Sequence, residues 1–360
     1  MEKEDVDVVF VYGSPDTFHG PGSIRYLCDY SSPMGEWTYF LARDGHSGLF
    51  LDEVLFWDLE RAKEECSAVD KVETTGSYAK AFSRAVPPKK MKIGLENSHL
   101  LPERIYSELT RLFPDASFQT TNIIRDLRRT KSQSEIRSLR EAERITENGM
   151  DAALSAAGRG KTESEVAEAG LSAIRRQVDE LAFPGPEVLS GVRTAGQAGY
   201  PTSKKLKHGE ILLVDLGGKK NGYCGDLTRV VAVGKPTKEE TEMFATLKEM
   251  FRAAVKEIRP DNRISRVYES AKSVAKDTRY QQIHISHGIG LEVHEHPDIS
   301  APEMSSTAAS NEIFQANMVV MIEIGLTIPG KMGMRYEDMI LVTSDGSEYI
   351  STSERDLRQV

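Results

Sequence analysis

Four acidic side chains and one histidine in the second half of the chain stand inside apolar, strand-like segments. They are Asp215, Asp226, His287, Glu323 and Glu337. Ionised carboxylates are seldom buried alone, because removing their hydration costs several kcal/mol unless a counter-charge is present. Five such groups in apolar surroundings therefore predict a buried site for divalent metal, with enough donors for two ions.

The bulk composition limits the classes of protein that this chain can belong to. A length of 360 residues suggests two domains, and the net charge of −9 argues against a basic nucleic-acid-binding face. No apolar stretch reaches the roughly 20 residues that span a bilayer. The first residues lack a signal-peptide pattern, and the three cysteines form no Cys-x-x-Cys motif. These features lead us to expect a cytoplasmic protein.

Residues 1–126 predict an α/β domain. Apolar runs at 8–12, 37–41, 47–51 and 91–95 are typical of strands, and the stretches near 53–65, 76–86 and 102–112 have helical spacing. Alternation of this kind favours a parallel or mixed sheet flanked by helices.

Residues 127–360 predict a second, α+β domain with an internal repeat. Capping boxes predict the starts of helices at Ser132, Thr162 and Thr237, because each of these residues is followed by a glutamate three residues later. A fourth helix is predicted at 264–274, and strands at 211–217, 223–233, 289–294, 317–324 and 336–343. Two helices followed by a hairpin thus occur twice, which indicates a duplicated architecture with the site where the halves meet.

The spacing of Asp215 and Asp226 allows two hairpin registers. A two-residue turn at Lys220-Asn221 would place the aspartates directly opposite each other. A turn at Asn221-Gly222 would make them diagonal neighbours, about 7–8 Å apart. Like charges across a hairpin are unfavourable without a cation, so either register supports a shared metal ion.

Glu323 and Glu337 repeat this arrangement around a loop at 329–331. Arg335 shares a strand face with Glu337, where it either orients that carboxylate or meets a substrate carboxylate. His287 is followed closely by glycines, which permit close approach of a ligand. Oxygen-rich ligation with one imidazole suits Mn²⁺, Co²⁺, Fe²⁺ or Zn²⁺.

The segments around these residues resemble the metallopeptidases of the pita-bread fold. The similar motifs are Val-Asp215-Leu-Gly, Gly-Asp226-Leu-Thr-Arg, His287-Gly-Ile-Gly, Glu323-Ile-Gly and Arg335-Tyr-Glu337-Asp. Residues 1–126 look like the creatinase-type N-terminal domain of the same family. The resemblance is therefore to the branch of prolidase (Xaa-Pro dipeptidase), aminopeptidase P and creatinase, and it implies a pita-bread catalytic domain at 127–360 with a pseudo-twofold repeat.

The resemblance also implies roles for individual residues. Asp215 would bind one ion, His287 and Glu323 the other, and two acids, Asp226 and Glu337, would bridge both. Glu323 would take up and return the proton of the attacking water. His294, seven residues after His287, would hydrogen-bond the substrate carbonyl. Arg335 would contact substrate.

Several positions depart from the pattern of the prolidase branch. Ala198 and Ile283 stand where that branch usually has histidines, and His284 is one position away from the second of them. Ile324 and Thr327 replace a proline and a tyrosine. His208 and His296 are expected to be solvated. The predicted metal ligands are thus complete, whereas the residues expected around the substrate are altered.

These observations, together with the resemblance, predict an Xaa-Pro dipeptidase that uses two divalent ions, and the resemblance alone implies a homodimer. A general or Xaa-Pro aminopeptidase and a creatinase-like C–N hydrolase on the same fold remain alternatives. A binding protein that has lost catalysis is a third possibility, which the complete ligand set argues against.

Overall fold

The computed structural model describes residues 1–15, 21–178, 180–183, 185–276, 279–302 and 311–360. The chain divides into two compact units, Met1–Arg128 and Arg129–Val360. This division lies two residues after the boundary expected between residues 126 and 127. Each unit buries hydrophobic clusters of its own.

One mixed sheet forms the centre of the first unit. Its strands are β1 (Val8–Gly13), β2 (Trp37–Ala42), β3 (Ser47–Asp52), β4 (Lys71–Thr75), β5 (Lys92–Glu96) and β6 (Ser117–Thr121). Their order is β4-β3-β2-β1-β5-β6. Strand β2 runs antiparallel to β1 and β3, and the other pairs are parallel. Both faces of the sheet carry buried apolar clusters.

Among residues 1–15 and 21–129 there are five α-helices: α1 (Gly22–Cys28), α2 (Leu59–Glu65), α3 (Tyr78–Ala85), α4 (Glu103–Leu112) and α5 (Ile123–Arg129). The helix predicted at 53–65 begins as a 3-10 helix, Glu53–Asp58, because Leu55 leaves helical geometry. The side chain of Asp52 caps this segment by accepting a hydrogen bond from the Val54 amide. The predicted helix is therefore present but broken in its first half.

Four helices lie in the described part of the second unit: α6 (Gln133–Ala156), α7 (Glu163–Arg175), α8 (Lys238–Lys256) and α9 (Ser265–Val274). The three predicted capping boxes are confirmed at the starts of α6, α7 and α8. In each capping box the hydroxyl of the cap residue accepts a hydrogen bond from the backbone amide of the glutamate three residues later. The carboxylate of that glutamate in turn accepts a hydrogen bond from the backbone amide of the cap residue. No described helix combines the length and the apolar composition that crossing a membrane requires.

The strands of the second unit fall into two groups. After α7 come β7 (Glu180–Leu181), β8 (Glu187–Ser190), β9 (Glu210–Leu216), β10 (Gly218–Lys220), β11 (Tyr223–Cys224) and β12 (Leu227–Val233). After α9 come β13 (Gln281–His284), β14 (His287–Gly288), β15 (Glu295–Asp298), β16 (Val319–Ile328), β17 (Met332–Val342), β18 (Ser347–Tyr349) and β19 (Arg358–Gln359).

These strands form three sheets. Their orders are β11-β10-β7, β19-β12-β9-β8 and β15-β14-β16-β17-β18, and β13 pairs with β16 in the third sheet. The largest buried cluster packs α8 and α9 against β16 and β17. The opposite face of these two strands carries the predicted acidic ligands, so the helices support the site from behind.

The prediction of a strand at 289–294 is wrong. Strand β14 ends at Gly288 and β15 begins only at Glu295. Between them the amide of Gly290 donates a hydrogen bond to the carbonyl of Glu292, two residues further on, at 3.0 Å. This tight turn interrupts the extended chain and places His294 at the end of a loop.

Candidate active site

A hairpin closed by Asn221-Gly222 carries the first two predicted ligands. The residues that flank this pair face each other across β10 and β11. Both turn residues have positive φ, 50° and 81°, as a type I′ turn requires. Asp215 therefore lies opposite Thr228, which makes Asp226 its diagonal neighbour. Of the two registers that the sequence left open, the structure has the second.

The other two acids face each other directly. Glu323 of β16 pairs with Glu337 of β17, and the loop at 329–331 joins the strands as predicted. The two residues are 4% and 1% exposed. Thr228 donates a hydrogen bond of 2.9 Å to Glu337 Oε2 and so connects this pair with the aspartate hairpin.

His287 points into the group of acids. Its Nε2 lies 3.8 Å from Asp226 Oδ2, 3.7 Å from Glu323 Oε2 and 3.7 Å from Glu337 Oε1. The ring of His294 stacks on that of His287, with 3.8 Å between ring centroids and 20° between planes. The turn after β14 thus brings both histidines to one side of the acids.

All five predicted ligands come together in three overlapping groups. The groups are Asp215-Asp226-Glu337, His287-Glu323-Glu337 and Asp226-His287-His294, and the donor atoms within each lie within 4.8 Å of one another. Asp215 Oδ1, His287 Nε2 and Glu337 Oε1 are buried without a hydrogen-bond partner among the described residues. Buried oxygen and nitrogen atoms of this kind can each give an electron pair to a divalent cation. Such a cation would supply the partner that these atoms lack.

The electrostatics of the cluster indicate the same need for positive charge. Burial, together with the neighbouring carboxylates, raises the pKa values of Asp215 and Asp226 well above their usual range. Burial and Glu323 also raise the pKa of Glu337. Burial alone would lower the pKa of His287, but the negative charges of Glu323 and Glu337, each 3.7 Å from Nε2, outweigh it and raise the pKa to about 10.

Arg335 supplies positive charge at one end of the cluster. Its Nη2 bonds Asp215 and lies 2.7 Å from Glu187 Oε2, and its Nε lies 3.2 Å from Glu323 Oε1. The side chain is 3% exposed. Of the two roles left open by the sequence, these contacts favour orientation of the metal-site acids. They fall on Asp215 and Glu323 rather than on Glu337.

Sequence reasoning missed several residues that hold the cluster in place. Glu143 of α6 accepts a hydrogen bond from the Asp226 amide at 3.1 Å, and Ser286 Oγ accepts one from the Glu323 amide at 3.0 Å. Glu187 contacts Arg335 from β8. These contacts join residues far apart in sequence. The one available signal was an acidic residue inside an apolar helix face, at Glu143.

Three of the altered positions lie on two paired strands close to Glu323: Ile283 on β13, and Ile324 and Thr327 on β16. His284 and Ile283 pair with Ile324 and Gly325, respectively. The His284 ring packs edge-on against Tyr268 of α9, on the helix side of the sheet. His284 therefore does not replace the histidine expected at position 283, and the alternation argument is confirmed.

The expectation for the remaining two histidines is half wrong. His208 is exposed. The side chain of His296 is only 8% exposed, and its Nε2 lies 2.8 Å from Glu312 Oε2. Contact with the Glu312 carboxylate thus accompanies the burial of the His296 side chain.

Proteins with similar sequences and structures are peptidases. A protein of Pyrococcus horikoshii named Xaa-Pro dipeptidase is 28% identical over 99% of this chain and 96% of its own length. The solved prolidase of the same organism has a TM-score of 0.84 over 99% of this chain and 97% of its own, at 28% identity. A solved Xaa-Pro dipeptidase of Bacillus anthracis is 26% identical, with a TM-score of 0.84, over 100% and 96%.

The sequence model of metallopeptidase family M24 matches residues 137–344, which is more than half of the chain. The chain therefore belongs to metallopeptidase family M24.

Proposed function

We propose that this member of the M24 family is an Xaa-Pro dipeptidase that cleaves the bond before proline in short peptides. The observation that carries the proposal is the buried group of five donors, three of which have unsatisfied atoms within the described structure. The similar proteins of Pyrococcus horikoshii and Bacillus anthracis support the substrate class by their names and by their nearly full-length similarity.

The donor set divides between two ions. Asp215 would hold one ion, His287 with Glu323 would hold the other, and Asp226 and Glu337 would be shared between them. Asp226 and Glu337 each belong to two of the three overlapping groups, as His287 also does. Carboxylate oxygens with one imidazole suit Mn²⁺, Co²⁺, Zn²⁺ or Fe²⁺.

The residues of the chain supply orientation and proton transfer. Divalent ions, when bound, lower the pKa of water towards neutrality and polarise a carbonyl group. Glu323 accepts the proton of the attacking water and returns it to the leaving nitrogen. His294 donates a hydrogen bond to the substrate carbonyl oxygen, where negative charge develops. Arg335 holds Asp215 and Glu323 in position through its buried contacts.

A second candidate function follows from the altered positions. Ala198 and Ile283 lack the imidazoles, and Thr327 lacks the phenol, that the resemblance leads one to expect around proline. A general or Xaa-Pro aminopeptidase, or a creatinase-like C–N hydrolase, would use the same metal centre with a different substrate. Because these enzymes would share the metal centre, only the substrates that the protein cleaves distinguish these alternatives from an Xaa-Pro dipeptidase.

The remaining features of the proposal concern organisation and setting. The first unit is a creatinase-type domain, and residues 127–360 form a pita-bread catalytic domain whose two helix-helix-strand groups are related by a pseudo-twofold axis. The order of α6 to β12 and α8 to β18 supports that repeat. The protein acts in the cytoplasm as a homodimer, and its three cysteines as free thiols agree with a reducing compartment.

Hydrolysis of Met-Pro, Ala-Pro and Met-Ala tests the function. Metal-free protein is reconstituted with Mn²⁺, Co²⁺, Zn²⁺ or Fe²⁺, and Asp226→Asn is compared with Asp115→Asn, an exposed aspartate of the first unit. Metal-dependent cleavage of the two proline peptides, lost only in the first variant, is the expected result. Cleavage of Met-Ala alone would favour a general aminopeptidase. No cleavage by protein with bound metal would point to non-peptide amides or to a binding protein.

A further inference from the structure

Gln197 holds an unusual conformation beside the candidate active site. It ends the 3-10 helix Gly191–Gly196 with φ of 63°, in the left-handed region that residues other than glycine seldom occupy. The residue is 5% exposed. Its Nε2 donates to Thr327 Oγ1 at 2.8 Å and to the Leu326 carbonyl at 3.2 Å. Backbone strain maintained by several polar contacts is typical of functional positions.

Two glycines make room for the Gln197 side chain. A methyl group built on Gly325 would lie 2.6 Å from Gln197 Oε1. One built on Gly333 would collide with Gln197 Nε2 and with the carbonyl oxygen of Thr194. The amide of Gln197 therefore fills a depression in the sheet that the absence of two Cβ atoms creates.

This depression adjoins the cluster of acids. Gly325 follows Glu323 by two residues, so both face the same side of β16, about 7 Å apart along the strand. Gly325 pairs with Arg335, whose Nη1 donates to the Gln197 carbonyl at 2.8 Å. Ile283 borders the depression from β13, with its Cβ 3.4 Å from the position of the added methyl group.

Gln197 also carries a buried acceptor without a partner. Its Oε1 makes no hydrogen bond among the described residues. The assignment of the two amide atoms is fixed, because the Leu326 carbonyl can only accept and so must face Nε2. A buried acceptor without a hydrogen bond lowers the stability of the folded state, because its desolvation is not compensated. Retaining one at this position favours a role for Gln197 in substrate binding.

We propose that Gln197 is a specificity-determining residue that restricts the substrate residue on the leaving side of the cleaved bond to side chains no larger than proline. The proposal rests on the proposed peptidase function and on the leaving residue lying at the Arg335 end of the cluster. A peptide whose scissile carbonyl sits at the acids places its next residue about 3.3 Å further along this line. The side chain of that residue then covers the remaining distance to Gly325, which lies about 7 Å from Glu323 along the strand. The Gln197 amide fills the space that a larger side chain would need.

The test measures kcat/KM for Ala-Pro, Ala-Ala and Ala-Phe with metal-loaded protein. Gln197→Gly empties the depression and suits a φ of 63°. Gln197→Asn shortens the side chain by one methylene in a residue type that tolerates the same φ. Asp261→Gly is the matched control, because Asp261 has a φ of 65° and is exposed.

The expected result is a rise of about tenfold or more in the Ala-Phe to Ala-Pro ratio of kcat/KM for Gln197→Gly, since one buried methylene changes selectivity by roughly 10–200-fold. A smaller rise is expected for Gln197→Asn and none for Asp261→Gly. The ratio cancels differences in metal loading and in the amount of folded enzyme.

An unchanged ratio in an active Gln197→Gly variant would overturn the inference and leave the peptidase function standing. Should that variant fail to fold, a flat ratio in Gln197→Asn would overturn it equally. If the metal-loaded wild-type chain cleaves none of the three peptides, the proposed function fails and the inference fails with it.

Discussion

Replacement of Arg335 by methionine removes the positive charge that faces the acids of the candidate active site. The guanidinium contacts Asp215, Glu187 and Glu323, and it is almost fully buried. Methionine retains much of the aliphatic length, so that the loss of charge and hydrogen bonds dominates the effect. The variant removes this cation from Asp215 and Glu187, whereas Glu323 keeps His287 at 3.7 Å.

The expected loss follows from this burial. Removing one partner of a buried ion pair costs about 3–5 kcal/mol in the free energy of unfolding, because the remaining charge stays desolvated. Divalent metal ions counter part of this loss, since binding to the folded state alone stabilises it by mass action. We therefore expect Arg335→Met to be strongly destabilised in the presence of chelator and to recover partly with Mn²⁺.

Urea unfolding followed by circular dichroism, with chelator and with excess Mn²⁺, measures both effects. Arg140→Met is the control, because Arg140 pairs with Glu348 at 3.0 Å on the surface, with side chains 39% and 51% exposed. Such an exposed pair contributes about 0.2–1 kcal/mol before salt screening. A loss in Arg335→Met no greater than that in Arg140→Met would refute the reasoning.

Three further substitutions test other parts of the structure. Burial raises the pKa of Glu96 to about 7. The folded state therefore binds an extra proton, and its stability falls by about 3 kcal/mol as the pH rises from about 4.5 to 7. In Glu96→Gln the free energy of unfolding, measured with denaturant at pH 5 and pH 8, should change less with pH than in the wild type, and an equal change would contradict this reasoning. Arg229 forms a buried ion pair with Asp338. Arg229→Met should therefore lower the free energy of unfolding by about 3–5 kcal/mol. A loss below about 1 kcal/mol in equilibrium unfolding would argue against this account. Gly333→Ala should lower the free energy of unfolding by about 1–3 kcal/mol through overpacking. The control Gly158→Ala, with open space around it, should be nearly neutral in thermal unfolding. Equal melting temperatures for the two variants would count against the packing described around Gln197.

The hairpin acids could be located from the sequence because local rules fix them. Chain reversal at Asn221-Gly222 and at 329–331 determines the register, and register determines which side chains face each other. A choice between two turns remained for Asp215 and Asp226, since both positions of the turn permit a two-residue connection. The positive φ of both Asn221 and Gly222 resolves it.

The surroundings of the acids could not be obtained in the same way. Glu187 and Gln197 reach Arg335 through contacts between residues more than 130 positions apart. No periodicity or turn signal encodes such contacts. The turn at Gly290 was missed for a different reason, because the apolar residues that follow it match a strand pattern.

The most direct test of the account is the number of divalent ions that the chain binds. Isothermal titration of metal-free protein with Mn²⁺ should give two ions per chain, and Asp226→Asn should lose at least one of them because Asp226 belongs to two of the donor groups. Asp115→Asn should bind like the wild type. Absence of saturable Mn²⁺ binding, or two ions retained in Asp226→Asn with unchanged affinity, would contradict the proposed metal centre.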